Sequence, residues 1–217
     1  MERLPSETNR IFEPFSERVP EAVLRALTVM GGALAGCERT WLVGGSCGLL
    51  LQGVPLEAAP RDLDVYADAE HAPSIHAALA GYSIDGQTYS ETGMYGSLLS
   101  HYSVEGVQVE LVGSLKVTLP NADYEVRVES LLGGYAMSGR IGEAAIRFMP
   151  LAHELVFNVL RERPDRYEPI AASIRRRLAD HLPLLADMLR SNRIGEPHTG
   201  RLKSLLALPP GFGRGDD

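Results

Sequence analysis

Trp41-Leu42-Val43-Gly44-Gly45-Ser46, fifteen intervening residues, and then Asp62-Leu63-Asp64-Val65-Tyr66 form the stretch around which the chain is organised. An apolar strand runs into a glycine pair and a serine. A short helix-compatible run, Cys47 to Gln52, follows, then a loop holding Pro55 and Pro60. The second strand opens with two carboxylates one residue apart. Side chains alternate across a strand, so Asp62 and Asp64 share a face while Leu63 points into the opposite one. Two carboxylates within reach of one point form a hard-oxygen pocket suited to Mg²⁺. A Gly-Gly-Ser turn at a helix N-terminus lets backbone N–H groups approach a phosphate. One element suits a phosphate and the other the metal that phosphates carry.

Upstream, residues 1–19 are polar, with Phe12 and Phe15 scattered through a lead-in helix or arm. Pro20 suits the start of a helix, and Val23, Leu24, Leu27, Met30 and Leu34 carry helical spacing to an end near Gly36. Gly31 and Gly32 weaken that helix and permit close packing. Downstream, strands are expected at 41–43 and 62–67 and a helix at 73–80. Further strands are expected at 82–84, 87–89, 97–104 and 107–112, the last two joined by a hairpin at Glu105-Gly106. Weaker strand signals cover 124–128 and 145–148, on either side of a glycine-rich passage. From Pro150 the pattern turns helical, with Pro164, Pro183 and Asn192 expected as breaks and a short helix at 202–208. The expected organisation is an α/β body over 1–149, a helical segment over 150–208 and a flexible tail over 209–217.

Composition narrows the function. The 217 residues are 45% hydrophobic and carry 21 basic against 28 acidic residues, a net charge of −7. That surface argues against a broad grip on the nucleic-acid backbone. No apolar run approaches membrane-spanning length, the first residues lack a signal-peptide pattern, and Cys37 and Cys47 give no disulfide framework. A cytoplasmic protein with no membrane partner is expected.

Two metals around a transferring phosphoryl group call for a third carboxylate. Glu110, in Val107-Gln-Val-Glu-Leu-Val112, is the best candidate, since an unpaired charge on an apolar strand is costly. The plainer alternative is a solvent-exposed carboxylate. Gln108 shares its face. Arg61 either pairs with a carboxylate or reaches a phosphate. His71, His76, His101, His153, His181 and His198 show no zinc-ligand spacing and read as surface or satisfied side chains. Gly44-x-Ser46-x-Gly48 matches a hydrolase nucleophile elbow literally, but too little parallel α/β chain follows to build that fold.

The ordered set Gly44-Gly45-Ser46, Asp62-x-Asp64 and a later-strand carboxylate resembles the nucleotidyltransferase (polymerase-beta-like) superfamily. The wording Val-Gly-Gly-Ser-x-Gly-Leu followed by Pro-Arg-Asp-Leu-Asp-Val is similar to small bacterial members, antibiotic nucleotidyltransferases and AbiEii-type toxin nucleotidyltransferases. The resemblance spans about residues 38–113, and 149–165 more weakly. It implies an α/β (α+β) fold, a mixed sheet flanked by helices, with two Mg²⁺ ions and a nucleoside triphosphate in the cleft. It implies Asp62, Asp64 and Glu110 as catalytic metal ligands, with Glu110 alternatively the base. It implies Gly44, Gly45 and Ser46, with Arg61 nearby, as the nucleotide-binding set. The acceptor, small molecule, protein or tRNA end, is left open. Asn158 stands where many relatives carry Lys, with Arg161 and Arg163 close by. That departure motivates the rival reading, a non-catalytic nucleotide-binding or protein-interaction module.

Overall fold

Ten strands form one mixed sheet among the residues described, which in this computed structural model are 11–12 and 15–213. The chain runs β1 (Ile11–Phe12), α1 (Glu21–Ala33), β2 (Leu42–Gly44), α2 (Gly45–Leu51), β3 (Asp62–Ala67) and α3 (Ala72–Ala78). It continues through β4 (Thr88–Thr92), β5 (Tyr95–Val104), β6 (Val107–Leu119), β7 (Ala122–Glu125), β8 (Met137–Ile141) and β9 (Ala144–Phe148). It closes with α4 (Leu151–Leu160), α5 (Pro164–Arg175), α6 (Leu178–Ser191), β10 (Arg193–Ile194) and α7 (His198–Leu206). The sheet order is β1-β8-β9-β2-β3-β6-β5-β4, with β7 also on β6 and β10 on β7.

The centre of the sheet follows from side-chain alternation. Leu63, Val65, Val109 and Leu111 are fully buried, and their even-numbered neighbours face the other way. Strand β6 runs parallel to β3 and antiparallel to β5. The β5–β6 hairpin turns at Glu105 and Gly106, both left-handed with φ 52° and 75°, as a two-residue primed turn requires. Beyond the stretch paired with β3, Ser114 has φ 52°, and the rest of β6 pairs with β7 instead.

Helix α1 packs on β9, and a Cβ at Gly31 would lie 2.6 Å from the Ala144 Cβ, so only glycine permits that approach. Gly32 faces open space. Helix α4 is buried along its whole length, as its continuous apolar content dictates. His153 of α4 meets the Tyr66 ring edge-on at 6.3 Å, which seats the helix over the sheet face carrying Asp62 and Asp64.

Several expectations need correction. Pro183 does not break a helix: it lies inside α6, where Leu184, Leu185 and Met188 are buried and hold the turn in place. The break falls instead between Arg175 and Leu178. Tyr82 ends a 3-10 turn rather than starting a strand, and Ser83 makes only an isolated bridge to Tyr102. Part of the glycine-rich passage is a strand, β8, paired with β9. Most of the lead-in and residues 214–217 of the tail lie outside the described residues; Ile11–Phe12 adds a strand parallel to β8.

Candidate functional site

The parallel register of β3 and β6 sets Asp62 opposite Gln108 and Asp64 opposite Glu110. In-register partners project from the same face, so the three carboxylates converge. All three line one cavity of about 420 Å³, together with Gly45, Ser46, Glu154, Asn158, Arg161, Arg163 and Arg166. Ser90, Thr92, Tyr95 and Ser97 line it on the β4–β5 side.

Gly45 makes this convergence possible. It adopts φ +60°, and a Cβ there would stand 1.8 Å from Asp64 Oδ2. Any larger residue would displace the carboxylate. Gly44 is buried, and Arg61 is exposed; neither is among the residues lining the cavity. Ser46 Oγ accepts a hydrogen bond from Arg166 Nη1 at 2.9 Å, so its partner is a cation rather than an imidazole base.

Burial, then the charges of Asp62 and Glu110, push the Asp64 carboxyl up to about 7, against the opposing pull of Arg161 and Arg166. Burial and the same aspartates push the Cys47 thiol up to about 12, which leaves it an inert packing group. The crowding of like charge is relieved by a cation, and carboxylate oxygens are the ligands Mg²⁺ prefers, so the donor set fits that ion in kind. Among the described residues no three His, Cys, Asp or Glu side chains already close around one point.

Two contributors were not placed in this site from sequence, although Arg166 reads there as part of a candidate basic patch with Arg161, Arg163 and Arg175–Arg177. Glu154, buried on α4, accepts the Gly45 backbone N–H at 2.9 Å and receives Asn158 Nδ2 at 3.4 Å. Burial first, and Asp64 next, push its carboxyl up to about 7 although the Gly45 hydrogen bond opposes the shift. A charged residue within an otherwise apolar helical stripe was the available signal. Arg166, from α5, is the second, and only its basic character marked it. Arg161 sits beside it with its guanidinium 4.8 Å from the Phe157 ring centre, a cation–π distance that holds the charge at the cavity.

By sequence, no protein family and no curated protein matches this chain. By structure it resembles a candidate nucleotidyltransferase of Thermotoga maritima, at 22% identity and a TM-score of 0.59, covering 75% of this chain and 96% of that one. More distant likenesses are ANT(2″)-Ia in complex with adenylyl-2″-tobramycin, at 11% identity and a TM-score of 0.46 over 75% of this chain and 96% of that one, and the lincosamide antibiotic adenylyltransferase LnuA with lincomycin bound, at 13% and 0.42 over 70% and 96%. No described helix is long and apolar enough to cross a membrane. With the mixed sheet, the flanking helices and this likeness together, the chain has the nucleotidyltransferase fold.

Proposed function

We propose that the protein is a nucleotidyltransferase that moves a nucleoside monophosphate from a nucleoside triphosphate to a hydroxyl of an acceptor. The observation that carries this reading is the register pairing of Asp64 with Glu110, with Asp62 beside them, in one cavity that Arg161 and Arg166 also line. In the reaction the acceptor O–H bond breaks with its proton passing to solvent, its oxygen bonds to the α-phosphorus, and the bond from that phosphorus to the β-phosphate oxygen breaks. Pyrophosphate leaves. Asp62, Asp64 and Glu110 would hold Mg²⁺, which would supply charge neutralisation and lower the pKa of the attacking hydroxyl. Arg161 and Arg166 bind the triphosphate and take the place of the missing lysine, since guanidinium forks match phosphate oxygens. Ser46 Oγ orients the terminal phosphates, and most of the rate enhancement comes from positioning. Gly45 contributes space rather than its amide, which Glu154 already occupies.

A second reading, nucleotide binding without transfer, is favoured by one observation: Asn158, where relatives carry lysine, turns back onto Glu154 at 2.8 Å from its carbonyl oxygen. Incubation with α-labelled nucleoside triphosphates, Mg²⁺ and a panel of hydroxylated small molecules, proteins and tRNA separates the two. Label transfer that Asp62→Ala abolishes supports transfer. Saturable nucleotide binding with no labelled product in any reaction overturns it in favour of the binding module.

A further inference from the structure

Two cross-strand pairs on the β4–β5 side of the cavity carry hydroxyls that the reaction above does not use. Ser90 is the Cα partner of Ser97, and Thr92 is the partner of Tyr95. Partners across an antiparallel ladder leave the sheet on the same face. All four residues line the cavity, whereas the alternate residues Tyr89, Glu91 and Gly96 do not. Among the described residues, none of the four hydroxyls has a hydrogen-bond partner within the protein. Ser97 is 4% exposed and still lines the cavity. An occupant that hydrogen-bonds there satisfies groups that the fold leaves without a partner.

Charge defines what this face accepts. Among the described residues, the acidic ones lining the cavity are Asp62, Asp64, Glu110 and Glu154. The transfer reading commits the first three to metal, and Glu154 is buried and accepts the Gly45 amide. Arg163 is held by Asp165 through two hydrogen bonds of 2.9 and 2.7 Å, and Arg161 lies 6.0 Å from the Tyr95 ring centre. An ammonium on this side therefore meets cations and no uncommitted carboxylate. A further anion would be repelled by the triphosphate. Hydroxyls both donate and accept, so they match the hydroxyls of an uncharged molecule.

Position favours the acceptor over the leaving group. Attacking and leaving oxygens lie roughly in line across the transferred phosphorus. Ser46, assigned above to the terminal phosphates, stands in the first turn of α2, directly after β2. The sheet order β2-β3-β6-β5-β4 puts β4 and β5 on the other side of the carboxylate-bearing strands. Ser97 is four residues from His101, the β5 partner of Glu110, a distance of about 13 Å along a strand. The face thus meets a part of the acceptor away from its attacking hydroxyl. Resting on the nucleotidyl-transfer reading, we propose that the acceptor is an uncharged, hydroxyl-rich glycoside of at least two linked rings, held by Ser90, Thr92, Tyr95 and Ser97. Polycationic sugars are excluded.

Saturation-transfer NMR on the full-length protein, with Mg²⁺ and a non-hydrolysable nucleoside triphosphate, tests the assignment without turnover. The probes are the uncharged disaccharides cellobiose, maltose and lactose, set against the diammonium chitosan disaccharide. Binding of an uncharged probe and none of the diammonium one is the expected result. The double substitution Ser90→Ala with Ser97→Ala weakens that binding about tenfold, with nucleotide affinity unchanged. Thr92→Glu, which supplies a carboxylate, admits the chitosan disaccharide. Should Ser97→Ala not fold, Ser90→Ala with Thr92→Val, at less buried positions, gives the same readout. Chitosan disaccharide bound as well as the uncharged probes, or no uncharged probe bound, overturns the proposal. Nucleotide affinity lost in the double variant makes this face the nucleoside subsite instead, which overturns the proposal and leaves nucleotidyl transfer standing. No nucleotide binding by the unsubstituted protein removes both readings.

Discussion

The backbone N–H of Gly45 donates to Glu154 Oε1 across 2.9 Å, tying the turn after β2 to a helix 109 residues farther along the chain. Glycine turns before a helix suggest a phosphate cradle, yet here the amide already has a protein acceptor. The contact makes α4 part of the cavity floor rather than a separate lid, and it makes the turn's geometry depend on a buried carboxyl.

Removing that carboxyl exposes the dependence. Glu154→Gln keeps an oxygen for the Gly45 amide and a neutral group in a buried place, so its stability stays within about 1 kcal/mol of the parent. Glu154→Ala leaves the amide unpaired and a void beside Tyr66, at a cost of about 2–4 kcal/mol. Urea unfolding of both variants measures the difference; equal midpoints would contradict the interlock.

Gly45→Ala strikes the carboxylate pair directly. Its methyl group would stand 1.8 Å from Asp64 Oδ2, in a residue held at φ +60°. The left-handed backbone costs roughly 1–2 kcal/mol for a non-glycine residue, and the clash pushes Asp64 out of the site. Divalent-metal binding, followed by calorimetry, is expected to fall more steeply than thermal stability. Metal affinity unchanged in Gly45→Ala would mean that Asp64 is not held where the turn demands.

Asp64→Asn separates function from stability with opposite signs. In the proposed reaction Asp64 holds the metal, so its loss is expected to lower transfer by at least about a hundredfold. The same change removes like-charge crowding at a carboxyl whose affinity for a proton is raised to about 7. Above that pH the parent carries the repulsion, so the metal-free variant unfolds a few degrees higher. Scanning calorimetry at pH 8 in chelator, alongside a transfer assay, reads both; a lower melting point would contradict the crowding.

Arg166 tests the proposed phosphate contacts. It donates to Ser46 at 2.9 Å and its guanidinium lines the cavity. Arg166→Ala is expected to weaken nucleotide binding about tenfold or more, and Arg166→Lys to restore part of it, because a point charge replaces a two-pronged donor. Titration with a fluorescent nucleotide analogue compares the three proteins. Unaltered affinity in Arg166→Ala would remove this residue from the site.

His153 sets the acid limit. Its ring stacks at 5.8 Å on Phe157, shares a 2.7 Å hydrogen bond with the Tyr124 hydroxyl, and is pushed down to about 3 by burial. A proton that binds at 6.5 in the unfolded chain binds only near 3 in the fold. Stability is therefore complete above pH 6.5 and is lost as the pH falls through that value toward 3. Between pH 7 and pH 5 this group alone removes about 2 kcal/mol. His153→Phe, which keeps the stack, should lose that much less over the interval in urea titrations. Identical losses in the two proteins would show that another group sets the acid limit.

Much of the central sheet was legible. The alternation in Asp62–Ala67 is short-range information, and β3 begins and ends where that pattern does. Glu105-Gly106 announces its hairpin because few dipeptides accept two left-handed residues. Strand β8 was not legible: its glycine-containing run has weak strand preference and is stabilised by pairing with β9 and β1. Pro183 misled because the loss of one amide hydrogen bond is small beside the burial of Leu184, Leu185 and Met188. His101 reads from sequence as a surface or satisfied histidine, and Asp85 satisfies it, but nothing in its neighbours along the chain reveals that Asp85 and Glu110 stand beside its ring.

By itself, then, the sequence determined which residues could form strands and turns, and that two aspartates would share one face beside a glycine turn. Those properties follow from backbone geometry over a few residues. Only the tertiary structure decided that Glu110 stands in register with Asp64, that Glu154 takes the Gly45 amide, and that Arg161 and Arg166 line the same cavity. Register between distant strands and the seating of a helix are set by the burial of whole surfaces, and that free energy is not written in any local pattern.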